Sequence, residues 1–442
     1  MILYASLLVV SVAAGYIGRV NRTARRRAIY LAAVAAVLIF FAACRADSVG
    51  ADTLQFTNGY RLFATQSWRE AMANGYEKGF LFLCRLLACI SPSPQLLIAF
   101  TSIFSITVFT VVLYRNSVDV VMSVALFIGM QYYANYMNYM RQVLAISIVF
   151  LAIEFLLKKF RFGWIPYLAV VLLAAMFHIT ALVLCLLPLF YHIRPTKTLC
   201  CVTGVVGLTV FILFEPLVRL VVRIIPKYRP YLGGKFLMGG GMGALLDLGL
   251  CLVGFAALLW ICLYRERATA TDGADSVKAS GTERSSGAAE GSQTAEGSQT
   301  AELSETAELP KTAELPKTAE LPETVKTSGT ADTSGAPELP ETFCPERAYG
   351  AGFLLWCAFA AAFADFFTRR AIVMARIAFY FRMYTMIAVP LILSRLPRKY
   401  ACIARVAVIC FALVYGMLIL HYRPDWTNVV SYRFFWSADA AA

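Results

Sequence analysis

The chain has 442 residues, 59% of them hydrophobic, a mean hydropathy of +0.66 and a formal net charge of +13. A soluble domain of this length cannot bury so much apolar surface, which excludes soluble enzymes and leaves a polytopic membrane protein. No nucleic-acid partner is expected.

A spanning helix needs roughly 20 apolar residues. Runs of that kind are predicted at 2–18, 28–44, 95–114, 118–134, 143–157, 164–191, 199–218, 244–264, 350–367, 371–393 and 401–420. No small-residue cleavage site follows the first run, and Arg19 to Arg27 are basic where a mature domain should begin. It is therefore expected to be a retained first helix, not a signal peptide.

Lys and Arg mark the cytoplasmic ends of spans. Arg19, Arg22, Arg25, Arg26, Arg27, Arg115, Lys158, Lys159, Arg161, Arg194, Lys197, Arg265, Arg267, Arg395, Arg398 and Lys399 are all inside in one threading. It makes 45–78 an outer loop, 79–90 a re-entrant or interfacial helix, and 164–191 a tight pair turning near His178 on the outer side. The tail from His421 emerges outside. The expected fold class is an all-α, polytopic transmembrane helix bundle of about 12 spans on these length rules. Its parts are N-terminal helices (1–265), an insert (268–347), and C-terminal helices with an outer tail (348–442).

The insert is rich in Thr, Ala, Glu, Ser, Gly and Pro, with Thr-Ala-Glu-x-x-x repeated from Thr294 through Glu323. It cannot bury a core, so it reads as a disordered, acidic, cytoplasmic segment, either a tether for partners or a neutral repeat expansion. The cysteines lack C-x-x-C or paired spacing and read as packing residues. The three histidines, His178, His192 and His421, have no acidic or cysteine neighbours at ligand spacing, so neither a metal nor a cofactor is expected.

Carboxylates are scarce. Of the 27 Asp and Glu, fifteen lie in the insert, and Asp47, Asp52, Glu70 and Glu77 cluster in the first outer loop. The same face collects Arg45, Arg141, Gln142, His178, Arg219, Arg223, Lys227, Arg229, Lys235, Arg369, Arg370, Arg376 and Arg382. Positive charge on the side where sorting disfavours it points to an anionic ligand, and Arg forks hold phosphate oxygens bidentately. Six residues of helix carry Arg382 about 9 Å deeper than Arg376, a depth suited to a lipid-linked diphosphate.

Blander readings stand beside these. Arg45 with Asp47 also suits a helix end, Gly50 with Asp52 an ordinary turn, and His178 a core histidine bonded to a carbonyl. Arg369, Arg370, Arg219 and Arg223 suit headgroup snorkelling. Arg141 at a helix start opposes the dipole and calls for a specific partner. Tyr132, Tyr133, Tyr136 and Tyr139 suit either sugar contacts or an interfacial aromatic belt.

Five motifs occur in order: R-x-x-x-x-G-x-D (Arg45, Gly50, Asp52), E-x-G-F (Glu77, Gly79, Phe80), R-Q-x-x-A (Arg141, Gln142, Ala145), F-H-x-x-A-L (Phe177, His178, Ala181, Leu182) and R-x-x-x-Y-F (Arg376, Tyr380, Phe381). Their order and spacing resemble the EpsG family of bacterial exopolysaccharide and capsule proteins, related in role to Wzy polymerases. The likeness covers 1–265 and 348–436; the acidic insert departs from it.

The resemblance implies a polymerase, a glycosyltransferase type of enzyme, joining polyprenyl-diphosphate-linked oligosaccharide repeat units at the outer face of the bacterial inner membrane. Its partners would be that lipid-linked substrate, the bilayer and other polysaccharide assembly proteins. Such chemistry needs a base for the acceptor hydroxyl and cations for the departing diphosphate. Asp52 is the expected base, with Asp47 or His178 as rivals. Arg141, Arg376 and Arg382 are the expected diphosphate ligands, Arg45 orients a carboxylate, and Glu77, Gln142 and Tyr380 complete the substrate site. Competing functions are a flippase or transporter of lipid-linked oligosaccharide, and a ligase or glycosyltransferase using the same donor.

Overall fold

The computed structural model of the protein describes residues 1–157, 162–224, 242–260, 351–371 and 374–437. The insert 268–347 and the basic positions Lys227, Arg229 and Lys235 lie outside them.

Among the described residues every regular element is helical. The first are α1 (Ile2–Ile17), α2 (Ala24–Ala43), α3 (Thr53–Thr65), α4 (Trp68–Ala73), α5 (Lys78–Ala88) and α6 (Gln95–Asn116). There follow α7 (Val120–Gly129), α8 (Tyr132–Asn138), α9 (Met140–Leu157), α10 (Trp164–Ala175), a 3-10 segment (Ile179–Leu186) and α11 (Leu187–His192). The remainder are α12 (Lys197–Ile212), α13 (Phe214–Ile224), α14 (Met242–Trp260), α15 (Ala351–Phe367), α16 (Met374–Arg382), α17 (Thr385–Ser394), α18 (Arg398–Tyr422) and α19 (Pro424–Thr427).

Side chains start several of these helices. Thr23 accepts from the Arg26 amide, Asp119 from the Met122 amide, and Ser67 with Glu70 forms a reciprocal capping box. Glu70, one of the clustered carboxylates, is thereby spent on local structure.

At the centre lies α7, buried along its whole length and packed against α1, α17 and α18. A helix apolar on every side belongs in a core. Its contact with α18 is a small-residue crossing, Gly129 against Ala412 and Gly416. A Cβ on Gly129 would meet the Ala412 carbonyl at 2.8 Å, and one on Gly416 the Gly129 carbonyl at 2.5 Å. Backbones approach this closely only where side chains are absent.

The basic stretch from Arg19 to Arg27, the turn after Arg115 and the N-terminal part of α18 meet at one end. Asn21 donates to Asp119 at 2.7 Å, Arg27 to the Ser117 carbonyl at 2.5 Å, and Arg405 lies 3.7 Å from Asp119. At the other end of α2, Arg45 is stitched to the C-terminal tail. The Ala46 amide donates to the Arg433 carbonyl, Gly50 to Asn428 and Ala51 to Thr427, at 2.9 to 3.1 Å.

The expectation of about twelve spans is not confirmed. Among the described residues three helices, α2, α6 and α18, are long and apolar enough to cross a membrane, or up to six if each bent pair is one span. The bent pairs are α8 with α9 (116°), α12 with α13 (71°) and α16 with α17 (44°); other apolar helices have 10–17 residues. The physical reason is that several apolar runs are broken by backbone turns at polar or aromatic residues. The run at 118–134 breaks at Gln131, with φ 62°. The run at 164–191 ends its first helix at Ala175, is extended at His178, and folds back so that the Tyr167 hydroxyl donates to the Leu184 carbonyl at 3.0 Å. That agrees with the tight pair expected around His178. The stretch expected to be re-entrant or interfacial is the short α5, buried through Phe80, Leu81 and Cys84.

Neither reading of the tyrosine cluster holds for all its members. Tyr133 and Tyr136 are core residues packed on Phe127, and the Tyr133 hydroxyl donates to the Leu38 carbonyl at 2.7 Å.

Replacing Gly416 by Leu should force α18 away from α7. Overpacking of this kind costs about 2 kcal/mol, which thermal unfolding of the detergent-solubilised protein would register as a lowered Tm.

Candidate functional site

All of the chain breaks described above but the one between α12 and α13 share one destination. Gln131, Tyr139, His178, Thr180, Arg382 and Thr385 all line a single cavity of about 1370 Å³. Irregular backbone within a membrane protein is tolerated where it is enclosed by protein or faces a cavity. Along α16 and α17 the lining passes from Arg376 and Arg382 through Thr385 to Val389, Ile392 and Leu393. One wall thus turns from cationic to apolar over roughly 20 Å. Leu250 to Leu258 of α14 and Val408 to Ile419 of α18 extend the apolar part.

At the polar part the organising group is Glu77. One carboxylate oxygen pairs with the Arg141 guanidinium; the other lies 3.2 Å from both His178 Nδ1 and the Ile179 amide. Burial pushes this carboxyl up, but the His178 hydrogen bond and the Arg141 charge outweigh it and hold it at about 2. A carboxylate only accepts, so Nδ1 carries the ring proton toward Glu77. His178 is 8% exposed, and its Nε2 is buried without a protein partner among the described residues. In the neutral ring this Nε2 is an acceptor.

Backbone packing sets that geometry. The amides of Gly79 and Phe80 donate to the Met176 carbonyl at 2.8 and 3.3 Å. A Cβ on Gly79 would sit 2.8 Å from the same oxygen, so only glycine lets α5 start against the turn that carries His178. Arg141 lies over the rings of Tyr76 (4.7 Å), Phe56 (5.5 Å) and Phe80 (6.0 Å). The E-x-G-F motif therefore reads physically as partner, close approach and guanidinium support.

The remaining motifs close the ring. Gln142, beside Arg141, donates to the Arg376 carbonyl at 2.6 Å. Arg376 lies over Tyr139 at 5.6 Å and reaches Asp52 at 3.9 Å. The buried Tyr380 hydroxyl meets Thr180 at 3.1 Å, two residues past His178. Arg382 lines the cavity, and its charge is matched by Asp365, which is fully buried in the last turn of α15.

Several expected site residues stand elsewhere. Arg45 does not orient a carboxylate. It is fully buried and donates to the Ala42 and Met137 carbonyls and to the Ser102 hydroxyl, so its bonds go to neutral acceptors under the first loop. Asp47 pairs with the half-exposed Arg61 at 3.3 Å, away from the cavity lining. Asp52 is not a lining residue either; it stands behind Arg376. Gly50, with φ 107°, makes the turn between them. On the other side the structure adds Lys78, Gln131, Tyr415, Trp426 and Thr427 to the lining. Of these, Lys78 had a signal in the sequence as the neighbour of Glu77 in its motif, and Trp426 as part of the outer tail covered by the family likeness.

Among the described residues no group of three or more His, Cys, Asp and Glu side chains is arranged to hold a metal ion.

Apolar helices around a cavity that is cationic at one part and apolar at another define an integral membrane protein. The chain belongs to the EpsG family, whose family model matches residues 28–272, more than half of the 442. This is a Wzy-like polysaccharide polymerase family, so the protein is one of membrane polysaccharide biosynthesis. No curated protein and no solved structure matches the chain. The matched stretch holds four of the five motifs; the fifth, around Arg376, joins them through the Gln142 and Thr180 hydrogen bonds.

A carboxyl held low in the folded state adds stability above its unfolded value near 4.3 and loses it on acidification. The Tm should therefore be level from pH 7 to about 5 and fall between about 5 and 2, with Glu77 contributing up to about 3 kcal/mol. Glu77→Gln should flatten that part of the acid limb in a thermal-unfolding series.

Proposed function

We propose that the protein is a polymerase joining polyprenyl-diphosphate-linked oligosaccharide repeat units at the non-cytoplasmic face of a bacterial inner membrane, with His178 as the base. The observation that carries this reading is the meeting of a buried, unpartnered imidazole nitrogen with arginines at the head of an apolar-walled cavity. A diphosphate suits the guanidinium groups and an isoprenoid chain suits the wall beyond them. What supports this choice of face is that the basic stretch from Arg19 to Arg27 and the turn after Arg115 meet at the end of α2 away from Arg45 and Asp52.

In this mechanism Arg141, Arg376 and Lys78 hold the donor diphosphate. The acceptor hydroxyl gives its proton to His178 Nε2 as its oxygen bonds to the donor's anomeric carbon. The bond from that carbon to the diphosphate oxygen breaks, and the lipid diphosphate leaves with the electron pair. Glu77 fixes the ring so that Nε2 faces the cavity, and its negative charge stabilises the imidazolium that forms. Guanidinium groups stabilise charge gathering on the leaving group. Asp52 then serves as the partner of Arg376, not as the base.

Reconstitution with a lipid-linked repeat unit tests this. The wild type should yield a ladder of lengthened products, and His178→Ala should slow its formation by about 10²- to 10⁴-fold. A single addition would mean a ligase or simple transferase, and leaflet movement without new bonds a flippase. A ladder at the wild-type rate from His178→Ala would remove the histidine from the reaction.

A further inference from the structure

The cavity has more polar capacity than a diphosphate uses. Gln131 and Thr427 both line it and are only 5% and 4% exposed. The Gln131 Oε1 and Thr427 Oγ1 are buried without a hydrogen-bond partner among the described residues. Gln131 also holds a left-handed backbone, φ 62°, which a residue with a side chain adopts only where its surroundings enforce it. Its amide nitrogen donates at 3.4 Å to the Gly416 carbonyl, which fixes the way the amide points. Unpaired buried polar atoms are disfavoured and mark places where a ligand supplies the missing bonds.

Beside Thr427 stands Trp426, whose indole lines the same cavity, is 41% exposed and lies 5.5 Å from the Arg423 guanidinium. The short α19 that carries both residues packs on α8, and Gln131 is the cap of α8. This part of the tail is held in place: Gly50 and Ala51 donate to the Asn428 and Thr427 carbonyls, and the Asn428 side chain to the Ser48 carbonyl at 3.0 Å. An exposed aromatic ring on so fixed a support is a rigid platform.

The chemistry of this patch is not that of the arginine end. A carboxamide oxygen repels phosphate, and an isoprenoid chain has no hydroxyl to offer it. A sugar ring matches both features, since its C–H face packs flat on an aromatic ring while its rim hydroxyls donate to Gln131 and exchange bonds with Thr427. We infer that Trp426, Thr427 and Gln131 form a saccharide subsite that holds neutral sugar rings of the acceptor glycan. The inference rests on the polymerase reading for its role, but its geometry is separate from Arg141 and His178. It also gives the C-terminal tail, outside the stretch that carries the family match, a direct part in substrate binding.

The full-length protein in lipid nanodiscs is titrated with two probes. One is the repeat-unit oligosaccharide released from the producing cell's own surface polymer, free of lipid and phosphate; the other is undecaprenyl diphosphate. Trp426→Ala and Gln131→Leu should weaken oligosaccharide binding about tenfold or more while leaving undecaprenyl diphosphate within about twofold, and Arg141→Ala should do the converse. Trp426→Phe, which keeps a ring, should stay within about threefold of the wild type for both probes. Thr427→Val serves as the second, nearly isosteric variant and should weaken the oligosaccharide alone.

Oligosaccharide affinity unchanged in Trp426→Ala and Gln131→Leu overturns the subsite, as does a wild type that binds undecaprenyl diphosphate but no oligosaccharide at millimolar concentration. Oligosaccharide binding that depends on Trp426, in a protein that ignores undecaprenyl diphosphate, upholds the subsite and defeats the lipid-diphosphate reading instead.

Discussion

One carboxylate holds the site together. Glu77 sits between a guanidinium and an imidazole, and each of its oxygens has a different task. In surroundings of low dielectric an isolated Arg141 would be expensive to keep charged and an unoriented His178 would be free to turn. A single negative charge resolves both problems, but only if α5, α9 and the turn after α10 meet within hydrogen-bonding distance. The Gly79 contact with the Met176 carbonyl brings two of these together, and the bend at Tyr139 brings the third. The fold around the cavity therefore follows from the requirement that these elements start where others stop.

The first loop and the tail act as scaffolding for that arrangement. Arg45 ties the end of α2 to the Met137 carbonyl at the end of α8, and the tail lies antiparallel across it through the contact of Arg45 with Phe434. A buried arginine whose bonds go to main-chain carbonyls does for a turn what a strand pairing does for a sheet. It satisfies acceptors that no helix reaches. The motif containing Arg45, Gly50 and Asp52 thus supports the bend from which Arg141 projects.

Composition alone made the helical membrane character legible, since apolar length and basic loops obey simple rules of burial and sorting. The residues of four motifs were legible as well, because rare carboxylates and arginines in apolar surroundings need partners. Their roles were less so. Asp52 and Glu77 look alike in the sequence; what separates them is that Gly79 admits one to His178 while Asp52 falls behind Arg376. Burial of Tyr133 and Tyr136 depends on α7 and α8 meeting at Gln131, a break that no proline or glycine pair announces. The span count is not confirmed among the described residues for the same reason, because hydropathy records apolar runs but not the bends within them. Gln131 went unnoticed because a lone amide acquires meaning only when distant segments face it.

Charge bookkeeping around the cavity gives a final constraint on how such a site works. Lys78, Arg141, Arg376 and Arg382 line it, with Glu77 among them and Asp52 and Asp365 just behind, so four cations face three carboxylates. An arginine cluster without these carboxylates would hold a lipid diphosphate tightly and would hold the leaving lipid diphosphate just as well. Interactions equal in ground and transition states bring no rate, and those that retain product limit turnover. Arg382 is nearly neutralised by its bidentate partner, whereas Arg376 meets Asp52 only at 3.9 Å. In the proposed mechanism the weakly paired guanidinium is the one that would turn toward charge as it develops on a leaving group. The strongly paired one instead keeps a polar floor where the wall becomes apolar. In the proposed mechanism, partial compensation of this kind would let the site keep its charges in a low-dielectric setting and still bind an anion that must depart after each cycle.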